Sequence, residues 1–172
     1  MKVAPTIIPI LHNIRSCHNV GSILRTAEGF GIKNVIISGY TPRPHDPSLL
    51  PHLRTKLDHD IHKTALGAED MLEIYSPYDI ITEIQKLKST GYQIVGLENN
   101  ITASPLYKLN DPVLKTTLSP HIALVLGEEV HGIPNSLHDI IDLFVEIPMR
   151  GQKESFNVSV ATAIALYAII YS

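Results

Sequence analysis

Cysteine is nearly missing. Cys17 is the single one in 172 residues, so no internal disulfide can form and a reducing compartment is the expectation. Also missing is any apolar run of the roughly 20 residues that a membrane span requires. The longest uncharged stretch near the end, Ser155 to Ser172, is interrupted by Ser155, Asn157, Ser159 and Thr162. The opening MKVAPTIIPILHNIR has Pro5 and Pro9 within its apolar part and no small-residue cleavage site, so no signal peptide is expected. No G-x-G-x-x-G follows the first apolar run and no H-E-x-x-H occurs. The usual signatures of a dinucleotide oxidoreductase and of a zinc hydrolase are therefore absent. Repeats and low-complexity tracts are lacking too. The expectation left by these absences is a cytoplasmic globular protein without a membrane span.

What is present fits that expectation. Hydrophobic residues make up 44% and charged residues 18%, a composition able to bury a core in one domain, taken as residues 1–172. Net charge is −3 but unevenly spread. Residues 1–65 carry eight Lys/Arg against four Asp/Glu, a balance of +4, and the remainder six against thirteen, a balance of −7. A basic first third suits a face turned to a polyanion, and ordinary surface scatter is the alternative.

Apolar runs and helical patterns alternate. Thr6–Leu11, Asn34–Ser38, Leu72–Tyr75, Tyr92–Leu97, Ile122–Leu126 and Leu143–Ile147 read as strands. Helices are expected from about His18 to Phe30, over Pro77–Ser89 with proline at the start, and over Asn157–Tyr171. Gly39 to about His62 reads as a loop rich in proline and histidine. The alternation argues for a doubly wound α/β fold, and the continuously apolar IALVL suits a parallel strand covered on both faces. The last helix has no polar face of useful width. A second subunit, or a sandwiched position within the monomer, would have to cover it.

Three segments carry the chemistry. In NIRSCHNVGSILRTAEGFG, Asn13 to Gly31, Asn19 and Gly21 stand at a helix start, where free N–H groups favour an anion. Arg25 follows in the second turn with paired donors for a phosphate or oxyanion. In VLGEEVHGIP, Gly127, Glu129 and Gly132 follow a buried strand at the edge where α/β sheets bind ligands. In IPMRGQKESFNVSVA, a strand end leads through a glycine-containing loop to Ser155 and Asn157, with an ordinary N-cap as the plain account of Ser155.

In that order the patterns N-x-G-x-x-x-R-T-A, L-G-x-E-x-x-G-I-P and I-P-M-x-G-x-x-x-S-F-N-V-S-V-A resemble the SpoU/TrmH family of RNA ribose methyltransferases, of the SPOUT class. The likeness runs through KTALGAE at Lys63–Glu69. It implies an α/β fold with a parallel-rich sheet flanked by helices and a C-terminal trefoil knot, which the rule against knotted chains would not have suggested. It implies S-adenosylmethionine as cofactor, and as substrate the ribose 2′-hydroxyl of tRNA or rRNA, with the chain's modest size and acidic balance leaning toward tRNA. The apolar last helix adds the expectation of a homodimer, through the knot region. For the function, an inactive RNA-binding module of the same fold is the alternative. Ser22 stands where alanine is common in the family, and Phe156 where leucine is.

The resemblance also assigns residues. Asn19, Arg25, Glu129, Ser155 and Asn157 match the catalytic positions. Leu97, Gly127, Ile147, Met149, Ser155 and Phe156 match the cofactor pocket, where adenine would meet backbone N–H and C=O groups. The spacing G-x-E-x-x-G selects Glu129 over Glu128, to orient Arg25, Asn19 or the knot loop. Two accounts of Arg25 are open. A guanidinium is effectively always protonated, which favours electrostatic stabilisation of the developing alkoxide over service as a base. Arg15, Arg25, Arg43, Arg54, Lys56 and Lys63 are candidates for contact with RNA. A metal is not expected: His45, His52, His59 and His62 with Asp58 and Asp60 form an imidazole-rich stretch, but no second cysteine accompanies them.

Overall fold

A computed structural model describes residues 5–99, 101–106, 108 and 118–171. Seven strands form one sheet: β1 (Thr6–His12), β2 (Asn34–Ser38), β3 (Glu73–Tyr75), β4 (Gln93–Leu97), β5 (Ser104–Pro105), β6 (His121–Leu126) and β7 (Leu143–Glu146). Their order is β3-β2-β1-β6-β4-β7-β5, and each neighbouring pair is parallel. The central strands β1, β6 and β4 are the most apolar. Ile10, Leu11, Ile94, Val95 and all of Ile122–Val125 are fully buried, as a strand covered on both faces requires.

Among the described residues five α-helices flank the sheet: α1 (Cys17–Gly29), α2 (Pro51–Ala65), α3 (Ile80–Ser89), α4 (Asn135–His138) and α5 (Val158–Tyr171). On one face α1, α2 and α5 pack Val20, Ile23, Leu24, Ile61, Ala165 and Leu166 against Leu11, Ile37 and Leu124. On the other, α3 and α4 bring Ile84, Leu87 and Leu137 against Ile10, Ile36, Ile94 and Val125. The α/β fold with a parallel sheet and flanking helices is as the sequence implied. Among the described residues no helix is long and apolar enough to cross a membrane.

The loop expected from Gly39 to about His62 is a correction. Only residues 39–50 are irregular, and Pro51 opens α2 as a first-turn proline whose missing N–H costs the helix nothing. Its helical period is faint because α2 is mostly exposed, with just Ile61 and Ala65 buried. Likewise α3 starts at Ile80 rather than Pro77. The Asp79 side chain caps it by accepting from the Thr82 N–H at 2.9 Å.

Helices α1 and α2 cross at Gly21. A Cβ there would lie 2.3 Å from the Ile61 carbonyl oxygen and 2.2 Å from Thr64 Oγ1. Gly21, expected at a helix start, is where the neighbouring helix packs closely. Thr64, within KTALGAE, closes the same contact by donating to the His18 carbonyl at 2.9 Å.

Candidate active site

The carboxyl ends of β4, β6 and β7 and the start of α5 enclose a cleft of about 500 Å³. Leu97, Gly127, Ile147, Ser155 and Phe156, five of the six residues expected to hold a cofactor, line it, together with Glu129. Met149 does not line it and lies half-buried in the loop after β7.

The floor is made by a tight turn after β6. Glu128 and Gly132 exchange backbone hydrogen bonds of 3.0 and 2.9 Å, and the Glu128 carboxylate accepts from the His131 N–H at 3.0 Å. Gly127 makes the turn possible, since a Cβ there would stand 2.3 Å from Gly132 C and from Ile133 N. Sequence reasoning missed the group that holds this turn from across the sheet. Glu98, at the end of β4, accepts from the Ile133 N–H at 2.7 Å and from the Asn99 N–H at 2.9 Å. Its 34-residue distance from Gly132 leaves no local pattern to read.

The three motif segments meet beside the cleft. Glu129 accepts from the Arg15 N–H at 3.0 Å, from the Ser16 N–H at 3.2 Å and from Asn19 Nδ2 at 2.8 Å. Asn19 Oδ1 in turn accepts from Asn157 Nδ2 at 3.0 Å. Burial pushes the Glu129 carboxyl up, but the hydrogen bonds from Arg15, Asn19 and Ser16 outweigh it, so its pKa falls below the ordinary 4.5. The anion that the start of α1 attracts is therefore this carboxylate. Ser16, the N-cap, accepts from the Asn19 N–H at 3.3 Å. Of the two adjacent acids, Glu129 makes the bonds the motif anticipates. Glu128 is buried and faces the Arg15 guanidinium at 3.5 Å.

The plain account of Ser155 does not hold. Asn157 caps α5, its Oδ1 accepting from the Ser159 N–H at 2.9 Å and from Ser159 Oγ at 2.7 Å. Ser155 stays exposed at the cleft wall.

Arg25 is the residue the single chain does not bring in. Helices α1 and α5 run side by side in the same direction. Asn19 bonds Asn157 at their starts, and the Phe30 and Tyr171 rings lie 6.3 Å apart at their ends. Six residues beyond Asn19, Arg25 lies roughly 9 Å up the helix and about a third of a turn around it. It is exposed and outside the cleft lining, so within one chain Glu129 orients Asn19 and not Arg25.

The remaining cations lie apart from the cleft. Arg43 pairs with Asp46 at 2.9 Å and Lys63 with Asp60 at 2.7 Å, while Lys56 is exposed and Arg54 half-buried on α2. The histidines nearby serve the fold. His45 bonds Asp70 at 2.9 Å and lies 3.6 Å from Asp58, and His62 bonds the buried Glu69 at 2.5 Å.

Known proteins resemble this chain along most of its length. The 23S rRNA (guanosine-2′-O-)-methyltransferase RlmB of Nitrosomonas europaea is 32% identical over 163 residues, 95% of this chain and 55% of that protein. Its namesake from Coxiella burnetii is 32% identical over 168 residues, 98% and 59%. The chain thus spans a little over half the length of these curated relatives. Among solved structures, the TrmH/SpoU tRNA modifying enzyme of A. aeolicus superposes with a TM-score of 0.76 at 22% identity, over 97% of this chain and 75% of the other. The AdoMet-bound rRNA methyltransferase of Sinorhizobium meliloti gives 0.77 at 23%, over 97% and 56%. At such identities the superpositions establish the fold. The SpoU rRNA Methylase family matches residues 6–167, which takes in all three segments converging on the cleft, and the chain belongs to that family.

Proposed function

We propose that this chain is an RNA methyltransferase that moves the methyl group of S-adenosylmethionine to a ribose 2′-hydroxyl, with the residues present acting as one catalytic domain. The observation that carries the reading is the convergence of segments over a hundred residues apart on one cleft, through the chain Asn157–Asn19–Glu129. No surface need be sculpted so closely for RNA binding alone, which disfavours an inactive binding module.

In this reading the donor lies against Leu97, Gly127, Ile147 and Phe156, with Ser155 at the wall and Met149 supporting the loop behind. The pocket's walls already stand around a cleft of about 500 Å³, so binding the donor does not also have to create the cavity. Transfer from a sulfonium needs oxygen, methyl carbon and sulfur in line, and holding them so is worth roughly 7–11 kcal/mol. The methyl group passes to the ribose oxygen, the electron pair of the broken bond stays on sulfur as a thioether, and the hydroxyl proton leaves to solvent.

The acceptor side needs Arg25, and the second copy of a homodimer supplies it. Val160, Ile164, Tyr167 and Tyr171 form an exposed apolar stripe along α5, next to the helix that bears Arg25. Seating a second copy there covers the stripe and carries one copy's Arg25 toward the other's cleft. Arg25 then holds the RNA and stabilises the developing alkoxide as a fixed cation. Arg15, Arg43, Arg54, Lys56 and Lys63 grip phosphates around it. The C-terminal chain is threaded as a trefoil knot. In support, β7 lies between β4 and β5, and the residues after it are bonded back to the end of β4.

Incubation with methyl-labelled S-adenosylmethionine and RNA from a strain lacking the gene tests the activity, followed by mapping of the modified nucleotide. The sequence relatives carry 23S rRNA in their names, so rRNA is the first RNA to supply and tRNA, to which modest size and acidic balance had leaned, the second. Label at a ribose 2′-oxygen is expected. Label on a base, or none with either RNA, refutes the reading.

A further inference from the structure

Asn99 follows β4, is half-buried and lines the cleft, yet it belongs to none of the three motif segments. Its carboxamide makes three hydrogen bonds. Nδ2 donates to the carbonyls of Ile147 at 3.2 Å and Glu154 at 3.1 Å, and Oδ1 accepts from the Ile147 N–H at 3.3 Å. A primary amide has two N–H donors, and both are spent on main-chain carbonyls seven residues apart. One side chain thus fastens both ends of the segment 147–154 to the end of β4. Ser155 and Phe156, which wall the cleft, follow directly.

We infer that Asn99 is a positioning residue for the methyl donor, setting the width of the cleft by pinning this loop. The inference rests on the proposed function and deepens it. It also revises what Ile147 offers. Its single N–H is taken by Asn99, so Ile147 has no main-chain donor left for adenine and meets the methyl donor through its apolar side chain and the second lone pair of its carbonyl.

A rival assignment starts from the same atoms. The donor–acceptor pair of a carboxamide matches the amino edge of adenine, so Asn99 would be a stand-in that adenine displaces. The bond to Glu154 argues against it, because a stand-in for adenine at Ile147 has no reason to tie down a residue seven positions on.

Calorimetric titration of S-adenosylmethionine and of S-adenosylhomocysteine into the wild-type chain, Asn99→Ala and Asn99→Asp separates these. Thermal unfolding and RNA affinity are followed alongside. No binding by the wild type would sink the proposed function rather than this inference. With wild-type binding in place, Asn99→Ala is expected to bind both ligands about tenfold more weakly, with RNA affinity unchanged. Asn99→Asp at pH 8 sets a carboxylate against two carbonyl oxygens and should bind more weakly still. At pH 5 part of that loss should return, relative to wild type at the same pH, because a protonated acid can again donate to one carbonyl. Unchanged affinity in Asn99→Ala overturns the inference. Tighter affinity overturns it in favour of the stand-in. Should Asn99→Ala fail to fold, the pH dependence of Asn99→Asp decides, and an affinity that parallels wild type at both pH values overturns it.

Discussion

At the carboxyl ends of β4, β6 and β7, side chains from distant parts of the chain are fixed to main-chain groups: Glu98 to Ile133, Asn99 to Ile147 and Glu154, Glu129 to Arg15 and Ser16. Along α1 and α5 the opposite holds. Arg25 is exposed, and beside it Val160, Ile164, Tyr167 and Tyr171 offer apolar surface to solvent. The first region is complete within one chain, whereas the second leaves a cation and an apolar stripe exposed. Under the proposed function the division follows the chemistry, since the donor is small and needs an enclosed site whereas a ribose in RNA must be approached from outside. It also separates the variants that should harm donor binding from those that should spare it.

Arg25→Lys draws the comparison most sharply. A lysine keeps the positive charge but not the two-pronged geometry, so RNA affinity should largely survive while turnover falls by roughly 10²–10³. Donor affinity should not change, because Arg25 lies outside the cleft. Near-native turnover in single-turnover assays would contradict the role given to the guanidinium. Gly127→Ala is the converse variant. Its Cβ would meet the main chain of Gly132 and Ile133, which cannot move aside as a flexible side chain can. Displacing that turn should weaken S-adenosylmethionine binding on the order of a hundredfold, with RNA affinity retained. If donor affinity holds, the turn is not the floor of the donor site.

Ile164→Glu probes the unfinished face. Ile164 is 38% exposed in one chain. Should a second copy cover it, the substitution places a charge in the contact on both sides of a symmetric interface. Dimer affinity should fall by at least about tenfold, measured by sedimentation, with donor binding untouched and turnover reduced in parallel with the dimer. A chain that sediments as a monomer before and after the change would leave Arg25 without a cleft to serve.

The same division marks what could be read in the sequence. Six strands were legible because buried parallel strands are runs such as IALVL, and each lies within a residue or two of its expected place, whereas the two-residue β5, Ser104–Pro105, has no such run and was missed. Helix α2 was not, because a helix that buries only Ile61 and Ala65 leaves almost no apolar period, and prolines before it dominate the pattern. Asn19, Glu129 and Asn157 could be named through the family resemblance and are found bonded to one another. The packing role of Gly21 was not legible, since nothing local marks a glycine that admits a neighbouring helix. Glu98 and Asn99 were missed altogether, as their partners lie 35 and 48 or more residues away. Arg25 could be named through the resemblance, but within one chain it lies exposed and outside the cleft lining.

The smallest expected effect concerns the seam between the two regions, where Glu129 ties the turn after β6 to the start of α1. Its folded pKa lies below the ordinary 4.5, so the charged form favours the folded state. The contribution is present above the unfolded value and is lost as pH falls through the depressed folded one. Glu129→Gln keeps the shape and one acceptor but gives up the charge that three donors share. The variant should be less stable than wild type by about 1 kcal/mol at pH 7, held to that size by partial solvent access. The gap should close as pH is lowered below the ordinary 4.5 and through the depressed folded value, where wild type loses the same charge by protonation. Denaturant melts at pH 7, 5 and 3.5 measure it. A gap that persists unchanged at pH 3.5 would mean that the seam depends on the side chain's shape and not on its charge.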